Sequence, residues 1–153
     1  MSNSRNEKIN ETIDQLNDLL ANYAVYYQNL RSMHWNVTGL HFFTLHEKFE
    51  EEYNDAQEMV DEIAERILSL GGKPKSMFSV YLNESEISEF GEYKNAEKTI
   101  KFLVGNLDTL LEKENKILTL SSDNNDEGTA DLMTMLIGKQ EKNRWMFRAT
   151  ITQ

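Results

Sequence analysis

The sequence predicts an all-α protein, a bundle of four long helices with a short helix in the long connection between helices two and three. Two observations predict this class. The 153 residues include one proline and seven glycines, so few positions interrupt regular structure. Apolar residues recur at alternating spacings of four and three over long stretches, as on the buried face of a bundle helix. The length indicates one domain, over residues 1–153.

The first helix is predicted from about Glu7 to Met33, with an apolar stripe along one face. The next position of the stripe is His34, so this imidazole should point inward or toward a neighbouring subunit. The stripe itself consists of Ile9, Ile13, Leu16, Leu20, Tyr23, Tyr27 and Leu30.

The second helix should begin near Thr44, because the letters TLHE have the form of a capping box between Thr44 and Glu47. It should end at Gly71 and Gly72, with Pro74 just beyond. The next segment, KSMFSVYLNESEISE, has a few large apolar residues and predicts a short helix across the connection.

The last two long helices are predicted over about Tyr93–Ser121 and Asp126–Thr150, separated by the polar segment SSDNNDEG. A single long connection, between the second and third long helices, is typical of ferritin-like bundles.

Composition excludes several function classes. There is no cysteine, which excludes disulfides, zinc–thiolate sites and cysteine nucleophiles. The sequence contains no apolar stretch long enough for a membrane span and begins with polar residues, so we expect a cytoplasmic protein without a membrane partner. The net charge is −10 and neither end is a basic arm, so nucleic acid is an unfavourable partner.

Residues 44–65 contain nine acids and one lysine, and most of these acids are expected on a solvated face. Four potential metal ligands are different. With His46 at zero on a helical wheel, Glu50, Asp61 and Glu65 all fall within about 100° of it, beside the apolar stripe.

These ligands form two i, i+4 pairs, His46 with Glu50 and Asp61 with Glu65. The pairs are about 22 Å apart along a helix, whereas a metal–ligand bond measures about 2 Å, so one chain cannot close the site. If two copies of the helix pack antiparallel about a two-fold axis, each first pair faces the partner's second pair. The spacing therefore predicts two identical sites at a dimer interface.

His34 is the fifth predicted ligand. Two imidazoles and three carboxylates suit iron or manganese, and zinc less distinctively. The Glu-x-x-His motif that builds a di-iron site inside one ferritin bundle is absent, because Arg31, Thr38 and Phe43 stand three residues before the histidines.

With the segments HWNVTGLHFFTLHEKFEE and DEIAERILSLGGKP, the chain resembles the Dps proteins, bacterial miniferritins that protect against peroxide and starvation. The resemblance extends over nearly the whole length. It implies a hollow homododecamer whose ferroxidase sites, mono-iron or di-iron, lie at two-fold interfaces. His34, His46 and Glu50 would come from one subunit, and Asp61 and Glu65 from its partner. Ferrous iron would be oxidised there, preferentially by hydrogen peroxide, and stored as ferric mineral.

Two features depart from many Dps relatives. Glu50 stands where many have aspartate, which affects binding of a second iron, and the lysine-rich tail of DNA-binding relatives is missing. Trp35, beside His34, is a packing aromatic or an electron donor to the site. His41 matches no ligand position and is expected to be exposed.

Three acids near the start of the fourth helix are weaker candidates. They suit the helix dipole, and the resemblance also places acids of this region at an iron-entry pore. They are Asp126, Glu127 and Asp131.

Two other functions remain open from the sequence. One is a nucleoid protein that coats DNA with weak or no oxidase activity, which the net charge disfavours. The other is a bundle that binds zinc or manganese without oxidase activity.

Overall fold

The computed structural model describes residues 2–152 and confirms the predicted bundle. That part of the chain contains no strand and five helices, α1 (Ser2–Asn36), α2 (Phe42–Ser69), α3 (Phe78–Glu84), α4 (Ala96–Asp123) and α5 (Glu127–Ile151). The short helix α3 lies in the long connection between α2 and α4, as predicted.

The helices pack in two main pairs, α1 with α2 and α4 with α5, while α1 also contacts α4 and α3. The core lies between the four long helices. Its largest side chains with less than 2% exposure include Tyr23, Tyr26, Phe49, Phe147, Leu16, Leu30 and Ile63. Because every long helix presents its stripe to this core, the other faces of α2 carry its acids except Glu52, which is buried.

The predicted capping box at the start of the second helix is wrong. The helix α2 begins at Phe42, and His41 occupies the N-cap position without a side-chain capping bond. Thr44 therefore lies inside the helix, where its own amide is already part of the first turn. The helix α1 continues to Asn36, beyond the predicted end at Met33, so a loop of only five residues, 37–41, joins the two helices.

The end of α2 is as predicted. Gly71 has φ 85°, a left-handed conformation that glycine adopts without steric cost. The amides of Gly71 and Gly72 donate to the carbonyl oxygens of Leu68 (2.9 Å) and Ile67 (2.9 Å), the pair of bonds that defines a Schellman motif.

The start of the third long helix differs from the prediction. It lies at Ala96 rather than at Tyr93, because the Asn95 side chain accepts a bond from the Lys98 amide (2.9 Å) and caps the helix. The helix α5 has its N-cap at Asp126, within one residue of the predicted start. None of the helices in residues 2–152 is long and apolar enough to cross a membrane.

Candidate metal centre

His34 and His46 meet where α1 ends and α2 begins. The short loop reverses the chain and places the two imidazoles face to face, with ring centroids 3.8 Å apart and planes 16° from parallel. His34 is 8% exposed, and His46 is half-buried. The predicted inward position of His34 is therefore confirmed.

Each imidazole is held by the backbone of the other residue. Nδ1 of His34 lies 2.6 Å from the carbonyl oxygen of His46, and Nδ1 of His46 lies 2.7 Å from that of His34. Since a carbonyl oxygen only accepts, each Nδ1 must carry the hydrogen and donate. The neutral ring then has its free lone pair on Nε2, which is the atom that binds a metal.

Two aromatic side chains enclose this histidine pair. Phe42 stacks on His46, with centroids 4.9 Å apart, and Tyr53 meets His34 edge-on at 5.3 Å. These contacts fix the planes of both imidazoles, so the Nε2 atoms keep their directions before any metal arrives.

The predicted carboxylate ligands are exposed. Glu50 lies one turn after His46, and Asp61 and Glu65 lie farther along the same uninterrupted helix. Among residues 2–152, none of these three acids forms an ion pair. The same part of the chain contains no group of three His, Asp or Glu side chains able to hold a metal. A single chain thus brings together His34 and His46 but not the complete predicted ligand set.

The remaining predicted residues occupy different environments. His41 is exposed, as expected. Trp35 is 57% exposed, and its ring lies under the Arg31 guanidinium at 4.8 Å. In one chain it therefore packs against a surface side chain rather than in the core.

Among the three acids near α5, Asp126 is already engaged. It accepts from the Thr129 amide (3.1 Å) and pairs with Arg66 (2.8 Å), which supports its role as a helix cap. Glu127 and Asp131 are exposed, so a role for these two in iron entry stays a prediction.

A second polar cluster lies inside the bundle, and the sequence interpretation did not include it. We call it the core polar layer, and it comprises Tyr23, Glu52, Glu114, Gln140 and Asn143. The positions of two acids in the sequence could have indicated this cluster. Glu52 follows Phe49 by three residues and Glu114 follows Leu110 by four, so both acids occupy stripe positions that are normally apolar.

A continuous chain of hydrogen bonds joins this layer across all four long helices. Asn143 donates to Glu52 (2.7 Å) and to Gln140 (3.1 Å). Gln140 donates to the Tyr23 hydroxyl (2.9 Å), which donates to Oε2 of Glu114 (3.3 Å). Lys48 pairs with the other oxygen of Glu52 at 3.1 Å.

Burial changes the ionisation of the two acids in the core polar layer. It raises the pKa of the Glu114 carboxyl to about 8, and the bond from Tyr23 lowers that pKa only in part. Burial also raises the pKa of Glu52, against the lowering effect of Lys48. Glu114 is therefore mostly protonated at neutral pH, and its Oε1 has no partner among the described residues.

Comparison with known proteins identifies the family. The ferritin-like domain model matches residues 13–153. The DNA protection during starvation protein of Porphyromonas gingivalis is 41% identical over 149 residues, covering 97% of this chain and 94% of its own length. This chain belongs to the Dps family of ferritin-like proteins.

Solved Dps structures agree with this assignment. The Dps protein of Vibrio cholerae O1 superposes with a TM-score of 0.93 at 42% identity, covering 95% of this chain and 92% of that one. It is described as a member of the ferritin-like diiron-carboxylate superfamily. Staphylococcus aureus Dps gives a TM-score of 0.91 at 31% identity, over 94% and 97% of the two chains. Membership of this superfamily supports iron binding, iron storage and ferroxidase-type chemistry in general.

Proposed function

We propose that this Dps protein oxidises ferrous iron at sites shared between two subunits, preferentially with hydrogen peroxide. Ferric mineral is stored in a shell of twelve subunits in the cytoplasm. The observation that carries the proposal is the histidine pair, because both rings are held through Nδ1 and both Nε2 atoms are free to bind iron.

The ligands of one site come from both subunits of a dimer. His34, His46 and Glu50 bind from one subunit, and Asp61 and Glu65 of the partner subunit complete the set. The unbroken course of α2 supports this division, since it separates the two i, i+4 pairs by about 22 Å.

Exposed apolar side chains support a partner subunit. In a single chain, Phe78 and Leu82 on α3 are 83% and 52% exposed, and Met77 just before them is 62% exposed. Apolar residues grouped in this way are typical of a surface that another protein covers.

The ligand chemistry suits iron as substrate. Three carboxylates around two neutral imidazoles stabilise the added positive charge when a ferrous ion becomes ferric. Two ferrous ions give one electron each to one peroxide molecule, whose oxygen–oxygen bond breaks. The reaction consumes iron and peroxide together, which removes both reactants of hydroxyl-radical production. Manganese or zinc fits the same ligands, but zinc has no redox chemistry and would block the site.

The test is ferrous iron titration without oxygen, followed by hydrogen peroxide, on the wild type and on Asp61→Ala. We expect rapid oxidation in the wild type and loss of the fast phase in the variant. Glu62→Ala is the matched control, since it removes the same charge from the neighbouring exposed position. Equal fast phases in wild type and Asp61→Ala would contradict the site, and a monomer on size-exclusion chromatography would contradict its sharing.

A DNA-coating function is the alternative, because curated relatives carry the name DNA protection during starvation protein. The net charge of −10 disfavours it, since phosphate backbones repel an acidic surface. We expect no mobility shift of plain duplex DNA at low salt, and tight binding there would favour the alternative.

A further inference from the structure

The short helix α3 keeps its place in the structure without being buried. None of its residues is buried, and its large side chains Phe78 and Leu82 are exposed. Its half-buried Tyr81 packs against the core. A helix of this length is too short to be stable by itself in water. Since its own packing is so limited, α3 depends on the segments that flank it.

The segment before α3 is held by a buried asparagine of α1. The side-chain amide of Asn17 donates to the carbonyl oxygen of Lys73 (3.2 Å), and its Oδ1 accepts from the amide of Lys75 (2.9 Å). The Lys75 ammonium in turn pairs with Glu84 in the last turn of α3 (2.6 Å). Asn17 therefore fixes the entry to α3, and Lys75 extends this anchor to the end of the helix.

Two more buried asparagines of α1 hold the segment after α3. Oδ1 of Asn22 accepts from the amides of Glu86 (3.0 Å) and Ile87 (3.1 Å). Oδ1 of Asn29 accepts from the amide of Phe90 (2.7 Å). Both asparagines are buried, so water does not compete for these bonds. The helix α1 thus specifies the course of the connection on both sides of α3.

The helix that these asparagines hold forms part of an apolar groove. The groove has a volume of about 520 Å³, and α1, α2 and α3 all contribute to its lining, with Phe78 and Leu82 from α3 and Val60 from α2. Val60 immediately precedes Asp61, and consecutive residues of a helix point about 100° apart. The groove therefore borders the face of α2 that carries the proposed carboxylate ligands.

A second copy of this chain fits the groove. The exposed Phe78 and Leu82 stand at the groove itself, so two copies related by a two-fold axis can each place these side chains against the other. Arg31 and Glu89 also line the groove, and neither forms an ion pair within residues 2–152. A two-fold contact can bring these unlike charges together across the interface.

We propose that Asn17, Asn22 and Asn29 are positioning residues that hold α3 as a preformed contact for a second copy of this chain. A contact surface that is already ordered loses less conformational entropy on association. The contact then keeps the two α2 helices at the separation that closes the shared metal site. This inference rests on the proposed ferroxidase function, and the asparagines act on that function only through assembly.

The experiment compares wild type with Asn22→Ala, and Asn143→Ala is the matched control. Both substitutions remove a buried asparagine side chain, but Asn143 bonds within the core polar layer. Hydrogen exchange of the Glu86 and Ile87 amides measures the hold on the connection. Analytical ultracentrifugation of a dilution series measures assembly, and the fast oxidation phase after ferrous iron and peroxide is recorded at each dilution. Asn17→Ala, which releases the other flank, replaces Asn22→Ala if that variant does not fold.

We expect faster exchange of the two amides in Asn22→Ala, with the helix content unchanged. Its assembly should dissociate at a protein concentration about tenfold or more above that of wild type, since the stability of an oligomer depends on concentration. The fast phase should disappear in step with dissociation and return when the protein is concentrated. Asn143→Ala should match wild type in assembly and in the fast phase.

Faster exchange in Asn22→Ala with assembly equal to wild type would overturn this inference, as would unchanged exchange of both amides. Equal weakening of assembly in Asn143→Ala would also overturn it, because general loss of stability would then be the cause. These outcomes leave the ferroxidase proposal intact. An assembled wild type without a fast phase would instead overturn the ferroxidase proposal, and with it the link between α3 and the metal site.

Discussion

Two groups of polar side chains differ in their surroundings. The histidine pair lies where α1 ends and α2 begins, and the core polar layer lies inside the bundle and joins all four long helices. Both contain side chains that bind metals elsewhere. In the histidine pair, the backbone occupies one nitrogen of each ring and leaves the other free. In the core polar layer, amide, phenol and lysine donors occupy all carboxylate oxygens of Glu52 and Glu114 except Oε1 of Glu114.

The difference shows that ligand-type residues make a metal site only when their lone pairs remain free at a place that an ion can reach. Ferritin-like di-iron sites inside a bundle use a Glu-x-x-His motif on two helices. In this bundle, Tyr23 with Tyr26 on α1 and Gln140 with Asn143 on α5 have the same i, i+3 spacing but are not Glu-x-x-His pairs. Tyr23 donates to Glu114 and Asn143 donates to Glu52, so hydrogen bonds rather than a metal hold these two buried acids. This contrast supports the proposal that the iron chemistry lies at the subunit interface.

The comparison predicts its largest effect when the two halves of the interface site are damaged separately. One double variant carries His34→Ala and His46→Ala, and a second carries Asp61→Ala and Glu65→Ala. Each should lower the fast oxidation rate by about 100-fold or more, because each loses two ligands. Co-expression should restore fast oxidation, since every mixed dimer has one intact site. The assay is stopped-flow absorbance after peroxide addition.

The control for this rescue combines His34→Ala subunits with His46→Ala subunits. Both substitutions damage the same half of the site, so every mixed dimer has two damaged sites and no rescue is expected. Rescue in this control, or none in the first mixture, would show that the site is not divided between subunits in this way.

The core polar layer should respond to pH through Glu114. Its folded pKa of about 8 is well above the ordinary glutamate pKa of 4.5. The folded state therefore holds a proton more tightly, and the stabilisation is complete below about pH 4.5 and is lost as pH rises to about 8. In Glu114→Gln the side chain stays neutral, so the melting temperature should fall less between pH 5 and pH 9 than in wild type. An equal fall in melting temperature in the two proteins over this pH range would contradict a buried neutral Glu114.

A smaller effect is expected from Asn143→Leu, which removes the amide donor to Glu52. Leaving a buried acceptor unsatisfied should lower the free energy of unfolding by roughly 1–3 kcal/mol in urea titration, with iron oxidation unchanged. Asn115→Leu is the control, because Asn115 is exposed and bonds only within its own helix. A large loss of oxidation in Asn143→Leu would mean that the core polar layer takes part in the chemistry.

The smallest effect is expected from Glu50→Asp, which shortens one ligand by a methylene and keeps its charge. The imidazole ligands are unchanged, so binding of the first ferrous ion should change little. Affinity for the second should change by less than about tenfold, or about 1.4 kcal/mol. Anaerobic iron titration followed by calorimetry measures both steps. Complete loss of iron binding would show that Glu50 has a larger role than its exposed position indicates.

Several elements followed from the sequence because local signals specify them. The stripe predicted α1 to about Met33, three residues before its end at Asn36, and Gly71 predicted the end of α2. Helix starts were less predictable. Thr44 matched a capping motif but lies inside α2, and Asn95 rather than Tyr93 marks the start of α4. A capping motif requires only a few residues, and the length of the preceding loop decides whether it is used.

The sequence by itself determined the four-helix pattern, because apolar residues at helical spacing fall on one face of each helix. The same periodicity led to the proposal of His34, His46, Asp61 and Glu65 as ligands. It also determined that the two proposed ligand pairs of one α2 cannot meet, because the rise of a helix is fixed. Only the tertiary structure decided that the imidazoles stack and hold each other through Nδ1, and that Tyr53 lies against His34. Only it decided that Glu52 and Glu114 lie inside the core and accept hydrogen bonds there. These contacts join residues on different helices, and their distances depend on how the helices pack.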